Sequence, residues 1–156
     1  MAAIKFREAT LEDKPKLLQF EQQLIAYERP FDSILKEDCT YYDLDYLIQS
    51  NEAKLIVATA DNHLIACGYA KIVKAKPYHT IDTYTYMGFM YVKPKFRGQG
   101  IIQNIIEKLK QWSISLNIFE TRLEVYSDNE SAIKAYQKKG FKNRMIEMKM
   151  KLKQSI

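Results

Sequence analysis

The chain has 156 residues, of which 47% are hydrophobic and 28% are charged, and its formal net charge is +5 at pH 7. A chain of this size can bury a core without disulfides or metal ions. Glycine and proline are sparse, and no repeated period is visible, which argues against linkers, disordered tails and solenoids. We therefore expect a single α/β domain spanning residues 1–156, for the reasons given below.

The sequence also bears on location. The first residues lack the apolar stretch of a signal peptide, and no later run is long enough to cross a bilayer. Cys39 and Cys67 lie far apart, and Cys67 falls within an apolar run, so both are expected to be reduced thiols. These features predict a cytoplasmic protein with no membrane partner.

Positive charge is concentrated in the second half of the chain. Residues 1–80 contain 10 Lys/Arg and 12 Asp/Glu, whereas residues 81–156 contain 14 and 7. A basic surface can bind nucleic acid, but here the basic residues are mixed with Glu and lack an RNA-reading aromatic motif. A polyanionic small cofactor explains the charge as well, and nucleic acid is the less favoured partner.

The first fifty residues predict a strand followed by helices. Residues 4–9 alternate apolar and polar side chains, as strands do. Thr10 and Asp13 have the spacing of a capping box, and apolar residues then recur at helical spacing: Leu17, Phe20, Leu24 and Tyr27. Residues 28–32 end this helix, and an acidic, aromatic loop leads to a short helix near residues 46–49.

Three strand-like runs occupy the middle of the chain. Residues 54–60 and 64–73 flank Asp61-Asn62-His63, which suits a tight turn, so they are expected to form a hairpin. The third run, residues 83–92, has Gly88 near its centre. A glycine there indicates a β-bulge or a close approach of another group to the backbone.

The last third alternates helices and strands. Residues 100–116 carry a broad apolar stripe at helical spacing, and residues 129–140 begin at an asparagine cap and end at a glycine. Short strands are predicted at residues 123–126 and 145–152. The β-α-β unit must cross over right-handed and make its two strands parallel. The order β-α-α-β-β-β-α-β-α-β therefore predicts an α/β fold with a mixed sheet.

The strongest motif runs from Tyr91 to Ile101, with the sequence YVKPKFRGQGI, between a strand and a helix. Gly98 and Gly100 allow consecutive backbone N–H groups to point at one spot, at the positive end of the helix. This arrangement predicts a phosphate-binding loop. It lacks both the Gly-Lys-Ser/Thr of a Walker loop and the third glycine of the dinucleotide fingerprint. On glycine spacing alone, a simple connecting turn is an equally good interpretation.

Two segments resemble the GNAT N-acetyltransferases. Residues 97–101, RGQGI, match the family's acetyl-CoA signature Gln/Arg-x-x-Gly-x-Gly/Ala, with Ile102 replacing the closing small residue. Residues 123–141, LEVYSDNESAIKAYQKKGF, resemble the family's fifth strand and fourth helix. With a family-like first strand and helix, the resemblance covers nearly the whole chain. It implies the GNAT acyltransferase fold, with parallel strands four and five splayed apart.

The resemblance also implies the cofactor site. Acetyl-CoA would be the acyl donor, its thioester arm lying between strands four and five, with the pyrophosphate bound by the loop before the third helix. An oxyanion contact would come from a backbone amide of strand four. The implied cofactor-binding residues are Met90, Tyr91, Val92, Arg97, Gly98, Gln99, Gly100, Ile101, Ile102, Gln103, Asn129, Ala132 and Tyr136. Lys93 and Lys95 could add charge or simply be solvated.

Tyr136 is the candidate general acid that protonates the departing thiolate. It lies two helical turns after Asn129 and one after Ala132, so the three share one helix face. The family has a tyrosine beside the sulfur at this position. Without the resemblance, a core aromatic on an amphipathic helix would be the preferred interpretation.

The general base and the acceptor are left open. Residues 83–92 contain no carboxylate, so the candidates for the base are Asp82, Tyr86, Glu124, or a water chain from Glu28 or Asp32. The acidic, aromatic rim on the first helices would suit a cationic amine as acceptor. An ordinary solvated loop is an equally good interpretation of the same residues. The candidate substrate-binding residues are Glu28, Asp32, Tyr86 and Glu124.

Two other functional interpretations are alternatives to an N-acetyltransferase that acts on an amine. The missing carboxylate on strand four suggests a non-catalytic acyl-CoA binding module, and the basic end of the chain suggests a nucleic-acid binding domain. His63 and His79 stand alone in predicted loops, so no metal is expected. A homodimer is one expected assembly.

Overall fold

The computed structural model describes residues 2–155, which divide into two compact units, residues 2–124 and residues 125–155. The elements of the first unit are β1 (Ile4–Glu8), α1 (Lys14–Glu28), α2 (Leu44–Gln49), β2 (Ala53–Ala60), β3 (His63–Lys74), β4 (Thr83–Val92), α3 (Ile101–Ser115) and β5 (Thr121–Arg122). The second unit contains α4 (Glu130–Lys138).

The five strands form one mixed sheet in the order β1-β2-β3-β4-β5. The first four strands are antiparallel neighbours, whereas β4 and β5 are parallel and are joined by a crossover that contains α3. The predicted mixed α/β fold is confirmed. The register between β4 and β5 has only two pairs, Thr85 with Thr121 and Tyr86 with Arg122. Strand β4 therefore continues to Val92, beyond the end of β5.

The predicted hairpin of β2 and β3 is present. Ala60 pairs with His63, and Asp61 and Asn62 both have positive φ, at 50° and 62°. A two-residue turn of this kind matches the right-handed twist of the strands it joins, and Asn and Asp tolerate its left-handed backbone.

A β-bulge interrupts β4 beside Gly88. Cys67 pairs with Tyr91, and Tyr69 pairs with Gly88, so β4 has one residue more than β3 between these pairs. The bulge includes Phe89, which is buried and has φ +55°. A Cβ on Gly88 would lie 2.6 Å from the hydroxyl oxygen of Tyr69. Both predicted roles of Gly88, bulge and close approach, are confirmed.

Helices cover both faces of the sheet in the first unit. One core cluster joins α1, α2 and one sheet face, and its members include Leu17, Phe20, Leu44, Leu47, Val57, Cys67, Tyr69, Phe89 and Tyr91. Helix α3 packs on the other face, where a Cβ on Gly68 would lie 2.9 Å from Ile105. The faces of α1 and α3 that pack on the sheet are buried, so each helix layer removes apolar area from water.

Two predicted strands differ from the structure. The fifth strand is assigned at Thr121–Arg122 rather than at residues 123–126. The final strand predicted at residues 145–152 is not assigned, and the described residues after α4 carry no helix or strand. Alternating apolar residues express a local preference, but a strand exists only where a neighbour accepts its backbone hydrogen bonds.

The predicted capping box is confirmed at a 3-10 turn, Leu11–Asp13, that leads directly into α1. The N–H of Thr10 donates to Oδ2 of Asp13 at 2.8 Å. The Arg7 guanidinium also binds this buried carboxylate through two hydrogen bonds of 2.7 and 2.9 Å. The bond from Arg7 holds the pKa of Asp13 below its usual value. Its stabilisation is therefore present above about pH 4 and is lost as pH falls through the native pKa.

Asp13→Asn is expected to lower the free energy of unfolding by about 1–2 kcal/mol at pH 7, because it removes the charge that Arg7 and the cap require. Urea titration of parent and variant checks this value. The difference in free energy of unfolding between parent and variant should narrow at pH 3, where the parent also begins to lose the charge of Asp13. Glu12→Gln, an exposed change in the same turn, serves as the control. A gap that is independent of pH would contradict the electrostatic explanation.

Candidate acetyl-CoA site

The loop between β4 and α3 has the backbone that the glycine spacing predicts. After Val92, a single turn of 3-10 helix at Pro94–Phe96 leads to Arg97 in extended conformation. Gly98 and Gly100 have φ of +77° and +75°. Nothing lies within 4 Å of a Cβ built on either glycine. Glycine is therefore required here by the left-handed backbone and not by lack of space.

The start of α3 presents unpaired helical amides at the end of this loop. Gly100 is the N-cap, and the first helical bond runs from the N–H of Asn104 to the carbonyl of Gly100 at 3.1 Å. The N–H groups of Ile101, Ile102 and Gln103 therefore have no carbonyl one turn earlier to bind. Ile102 departs from the family signature in its side chain, but its backbone N–H still belongs to this group. Such a helix end attracts an anion.

The charge around the helix start is positive. The exposed Arg97 donates from Nε to the carbonyl of Val92 at 3.1 Å, which ties its guanidinium to the end of β4. Lys93 and Lys95 lie on the same connection, and the first turn of α3 contains no acidic residue. Three cations and a helix N-terminus on one short segment provide the electrostatics that a pyrophosphate requires.

Residues Met90, Tyr91 and Val92 lead directly into this loop. They lie on the part of β4 that extends beyond the two pairs with β5. On the other side, β3 pairs with Tyr91 and Val92. One edge of β4 is thus held in the sheet, while its other edge extends past the end of β5.

The Tyr91 side chain links this strand to α1, a contact that sequence reasoning missed. Its hydroxyl hydrogen-bonds the side-chain oxygen of Gln23, and its ring lies 4.7 Å from that of Phe20. Burial raises the pKa of Tyr91, and the nearby Arg97 partly offsets that effect. Strict alternation would have placed Tyr91 on the face of Thr85, which bonds Ser113 of α3, so it is the bulge that turns Tyr91 toward α1.

A second group of polar residues lies on the same sheet face as α1. The hydroxyl of Tyr86 donates to Oε1 of Glu124 at 3.2 Å, so the structure brings these two predicted substrate residues together. The ammonium of Lys71 lies 5.9 Å from the centre of the Tyr86 ring. Burial raises the pKa of Tyr86, and Glu124 raises it further. Tyr86 is therefore a hydrogen-bond donor and not a base at neutral pH.

Glu28, at the end of α1, lies beside two tyrosines. Its carboxyl is half-buried, and burial raises its pKa, while a hydrogen bond with the Tyr41 hydroxyl opposes that shift. Burial also raises the pKa of Tyr42, with smaller contributions from Tyr69 and Glu28. Glu28 therefore accepts a proton more readily than an exposed glutamate does.

Tyr69 connects these two groups. Its ring meets that of Tyr42 edge-on at 5.7 Å, and its hydroxyl lies against Gly88. Burial raises the pKa of Tyr69 to about 12, with Glu124 contributing. We call Tyr42, Tyr69 and Tyr86 the tyrosine row; Glu28 lies near one end and Glu124 near the other. The only sequence signal for Tyr69 was its place in a strand facing the Gly88 bulge.

The remaining predicted residues fall elsewhere. Asp32 lies in the turn after α1, where Oδ1 accepts from the N–H of Ile34 at 3.3 Å. Asp82 precedes β4, and its carbonyl accepts from the N–H of Ala75 at 2.8 Å. Among the candidates for a general base, the carboxylates beside the tyrosine row are therefore Glu28 and Glu124.

In the second unit, α4 has the predicted cap. Oδ1 of Asn129 accepts from the N–H of Ala132 at 3.4 Å, and Gly140 ends the helix with φ +102°. The Tyr136 ring meets the Phe141 ring edge-on at 5.8 Å. Asn129, Ala132 and Tyr136 share one helix face, as the spacing requires. The cap is confirmed, while the role of Tyr136 stays a prediction.

Residues 2–155 contain neither a candidate membrane span nor a cluster of metal-ligating side chains. No helix in this part of the chain has both the length and the apolar composition needed to span a bilayer. No cluster of three or more His, Cys, Asp or Glu side chains in these residues could hold a metal ion.

The mixed α/β fold, with its five-stranded sheet and its parallel pair β4 and β5, matches solved acetyltransferase structures. A sequence profile described as "Acetyltransferase (GNAT) family" matches residues 20–141. Since this match spans well over half of the sequence, the chain belongs to the GNAT acetyltransferase family. It is an acetyl-CoA dependent acetyltransferase, and acetyl-CoA is its acyl donor.

Individual relatives agree with this assignment. The thialysine N-ε-acetyltransferase of Sus scrofa is 27% identical over 90% of this chain and 85% of its own. A predicted acetyltransferase from Clostridium acetobutylicum, solved with acetyl-CoA, has TM-score 0.74 at 19% identity, covering 96% of both chains. Glucosamine-6-phosphate N-acetyltransferase from Arabidopsis thaliana has TM-score 0.67 at 20% identity, covering 97% of this chain and 99% of its own. These structural likenesses establish the shared fold.

Proposed function

We propose that the protein transfers the acetyl group of acetyl-CoA to a primary amine of a small molecule or peptide, by direct attack in a ternary complex. The observation that carries this proposal is the continuity between the part of β4 that extends beyond β5 and the positive turn at Gly98 and Gly100. An extended strand suits the amides of pantetheine, and the turn suits its pyrophosphate. Residues 1–156 would act as one acetyltransferase domain, and the family match runs across both compact units.

The reaction needs three contributions from the protein. A neutral amine attacks the thioester carbonyl, so a C–N bond forms and the carbonyl electrons move to oxygen. A backbone N–H of Met90, Tyr91 or Val92 would stabilise that oxyanion. Collapse then breaks the C–S bond, and the amine proton passes to a base. Tyr136 would protonate the thiolate.

A cationic amine is the acceptor that the tyrosine row supports best. Tyrosine faces and flanking carboxylates attract an ammonium group, and Glu28 and Glu124 supply the negative charge. The relative from Sus scrofa is named for acetylating an amine, which agrees with this class of acceptor. We also propose a cytoplasmic location, which agrees with the thiol state of Cys39 and Cys67.

The second candidate function is a non-catalytic acyl-CoA binding module, favoured by one observation. Strand β4 carries Gly88 at its bulge and no carboxylate along its length. A panel of diamines, amino sugars, lysine analogues and peptides, assayed for release of free CoA, separates the two functions. Acceleration of CoA release by an amine supports the transferase. Binding of acetyl-CoA with no acceleration by any amine supports the module.

Gly100→Val is expected to weaken acetyl-CoA binding by about tenfold or more, because a β-branched residue resists the left-handed backbone that aims the loop amides. Isothermal titration with acetyl-CoA measures the loss. Gly140→Val places a β-branched residue at another position of positive φ, after α4, and serves as a control for backbone strain alone. Equal affinity in the Gly100 variant and the parent would show that the glycine only turns the chain.

A further inference from the structure

The loop between α1 and α2 is fixed although it has no regular structure. Residues 32–43 contain no helix or strand. A segment without a helix or a ladder must satisfy its backbone polar groups through side chains or water. Here the side chains come from α1 and the turn that follows it.

The loop carbonyls are bound by two side chains from that region. Arg29 donates from Nη1 to the carbonyl of Leu35 at 3.2 Å and from Nη2 to that of Glu37 at 3.1 Å. Gln22 donates from Nε2 to the carbonyl of Cys39 at 3.1 Å. The rigid fork of arginine suits two carbonyls in one segment. Residues 35–39 of the loop are therefore tied by donors to α1 and to the turn that follows it.

The end of the loop is tied by an acceptor, Glu21. Its Oε2 accepts from the N–H of Tyr41 at 2.9 Å and from the N–H of Tyr42 at 2.8 Å. The Glu21 residue is 0% exposed, and its Oε1 has no hydrogen-bond partner within residues 2–155. A buried carboxylate is costly, so a leucine or methionine would be the ordinary choice at this core position of α1. The role of this carboxylate is to accept hydrogen bonds from the two backbone N–H groups.

Fixing these two amides also fixes the aromatic ring that follows them. The Tyr42 ring stacks on Phe89 with centroids 4.5 Å apart and an interplanar angle of 20°. Phe89 is the residue of positive φ in the β4 bulge. The carboxylate of Glu21 is therefore linked, through one residue of the loop, to the bulge and to the tyrosine row.

We propose that Glu21 is a positioning residue for the acceptor side of the site. Through the backbone of Tyr41 and Tyr42 it holds the Tyr42 ring against the β4 bulge, so that the tyrosine row is formed before the amine arrives. Glu21 contacts neither the acceptor nor the acetyl-CoA. This inference rests on the proposed amine acceptor site.

Two variants and one control test the proposal. Glu21→Met keeps the length of the side chain and removes both acceptor oxygens, whereas Glu21→Gln keeps one oxygen for the two amides. Glu21→Met should raise the acceptor KM by about tenfold or more, since two charge-assisted hydrogen bonds are lost. Its Kd for acetyl-CoA should equal that of the parent. Glu21→Gln should recover most of the acceptor affinity. Gln19→Met, on the exposed face of α1, should match the parent.

Amide hydrogen exchange tests the contact without turnover. In the parent, the amides of Tyr41 and Tyr42 should exchange slowly although they lie outside regular structure, and in Glu21→Gln they should exchange faster. Unprotected amides in the parent overturn the proposal, even if Glu21→Met does not fold. An unchanged acceptor KM in a folded Glu21→Met variant, or an equal loss of acetyl-CoA affinity, also overturns it. If the parent acetylates no amine, the proposed function is wrong. The exchange result tests the contact of Glu21 with the two amides independently of that outcome.

Discussion

Tyr136→Phe is expected to lower the turnover number by about 10²- to 10⁴-fold, the usual worth of general-acid assistance. The variant keeps the ring that packs against Phe141 and removes only the hydroxyl. A thiolate is already a fair leaving group, so the loss should fall nearer the lower value. Single-turnover measurements with excess enzyme isolate the chemical step from product release.

Affinity and folding decide what the Tyr136 result means. The Kd for acetyl-CoA and the melting temperature should stay near those of the parent, because the packing surface is unchanged. Tyr78→Phe, at a tyrosine that is 80% exposed, controls for loss of a phenol elsewhere. Full turnover in Tyr136→Phe, with chemistry limiting the rate, would show that Tyr136 is a packing residue and that the acid is water or another group. A lower melting temperature would instead favour the core-aromatic interpretation.

Removing the carboxylates near the tyrosine row should have the second largest effect. Glu28→Gln is expected to lower kcat/KM for a cationic amine by about 10²-fold, because it removes a proton acceptor as well as a charge. Glu124→Gln should lower it by about tenfold, because it removes the charge that attracts the ammonium and weakens the hydrogen bond from the Tyr86 hydroxyl. Initial rates at low acceptor concentration measure both effects.

The pH profile separates these two carboxylates. Burial raises the pKa of Glu28, so kcat/KM in the parent should rise with pH as this group loses its proton. Glu28→Gln should remove that rise, while Glu124→Gln should retain it. Glu37→Gln, an exposed change in the loop between α1 and α2, should leave the rate and the pH profile unchanged. If only Glu124→Gln flattens the profile, Glu124 is the base and Glu28 contributes charge alone.

Sequence patterns predicted the cofactor side of the fold well. The β-rich composition of residues 83–92, the stripe after Gly100 and the turn at Asp61 and Asn62 each reflect local rules, and each element is present. The positive φ of Gly98 and Gly100 follows from the same kind of rule, since only glycine adopts that backbone freely.

The acceptor side depends on contacts between distant residues, which a single sequence does not reveal. Tyr69 resembles any aromatic residue in a buried strand, and only the register with Gly88 gives its hydroxyl a special position. Glu21 interrupts the apolar face of α1 and signals its function only once Tyr41 and Tyr42 are placed beside it. The strand expected at residues 145–152 failed for a related reason, because alternation does not supply a hydrogen-bonding neighbour.

Mass spectrometry of the acceptor tests the central claim most directly. The protein is incubated with acetyl-CoA and each amine of the panel, and acetylated amine and free CoA are quantified in the same sample. We predict that at least one cationic amine gains an acetyl group on nitrogen, in amounts equal to the CoA released, and that Gly100→Val slows both together. Release of CoA without acetylated amine, or no release with any amine although acetyl-CoA binds, would contradict the account.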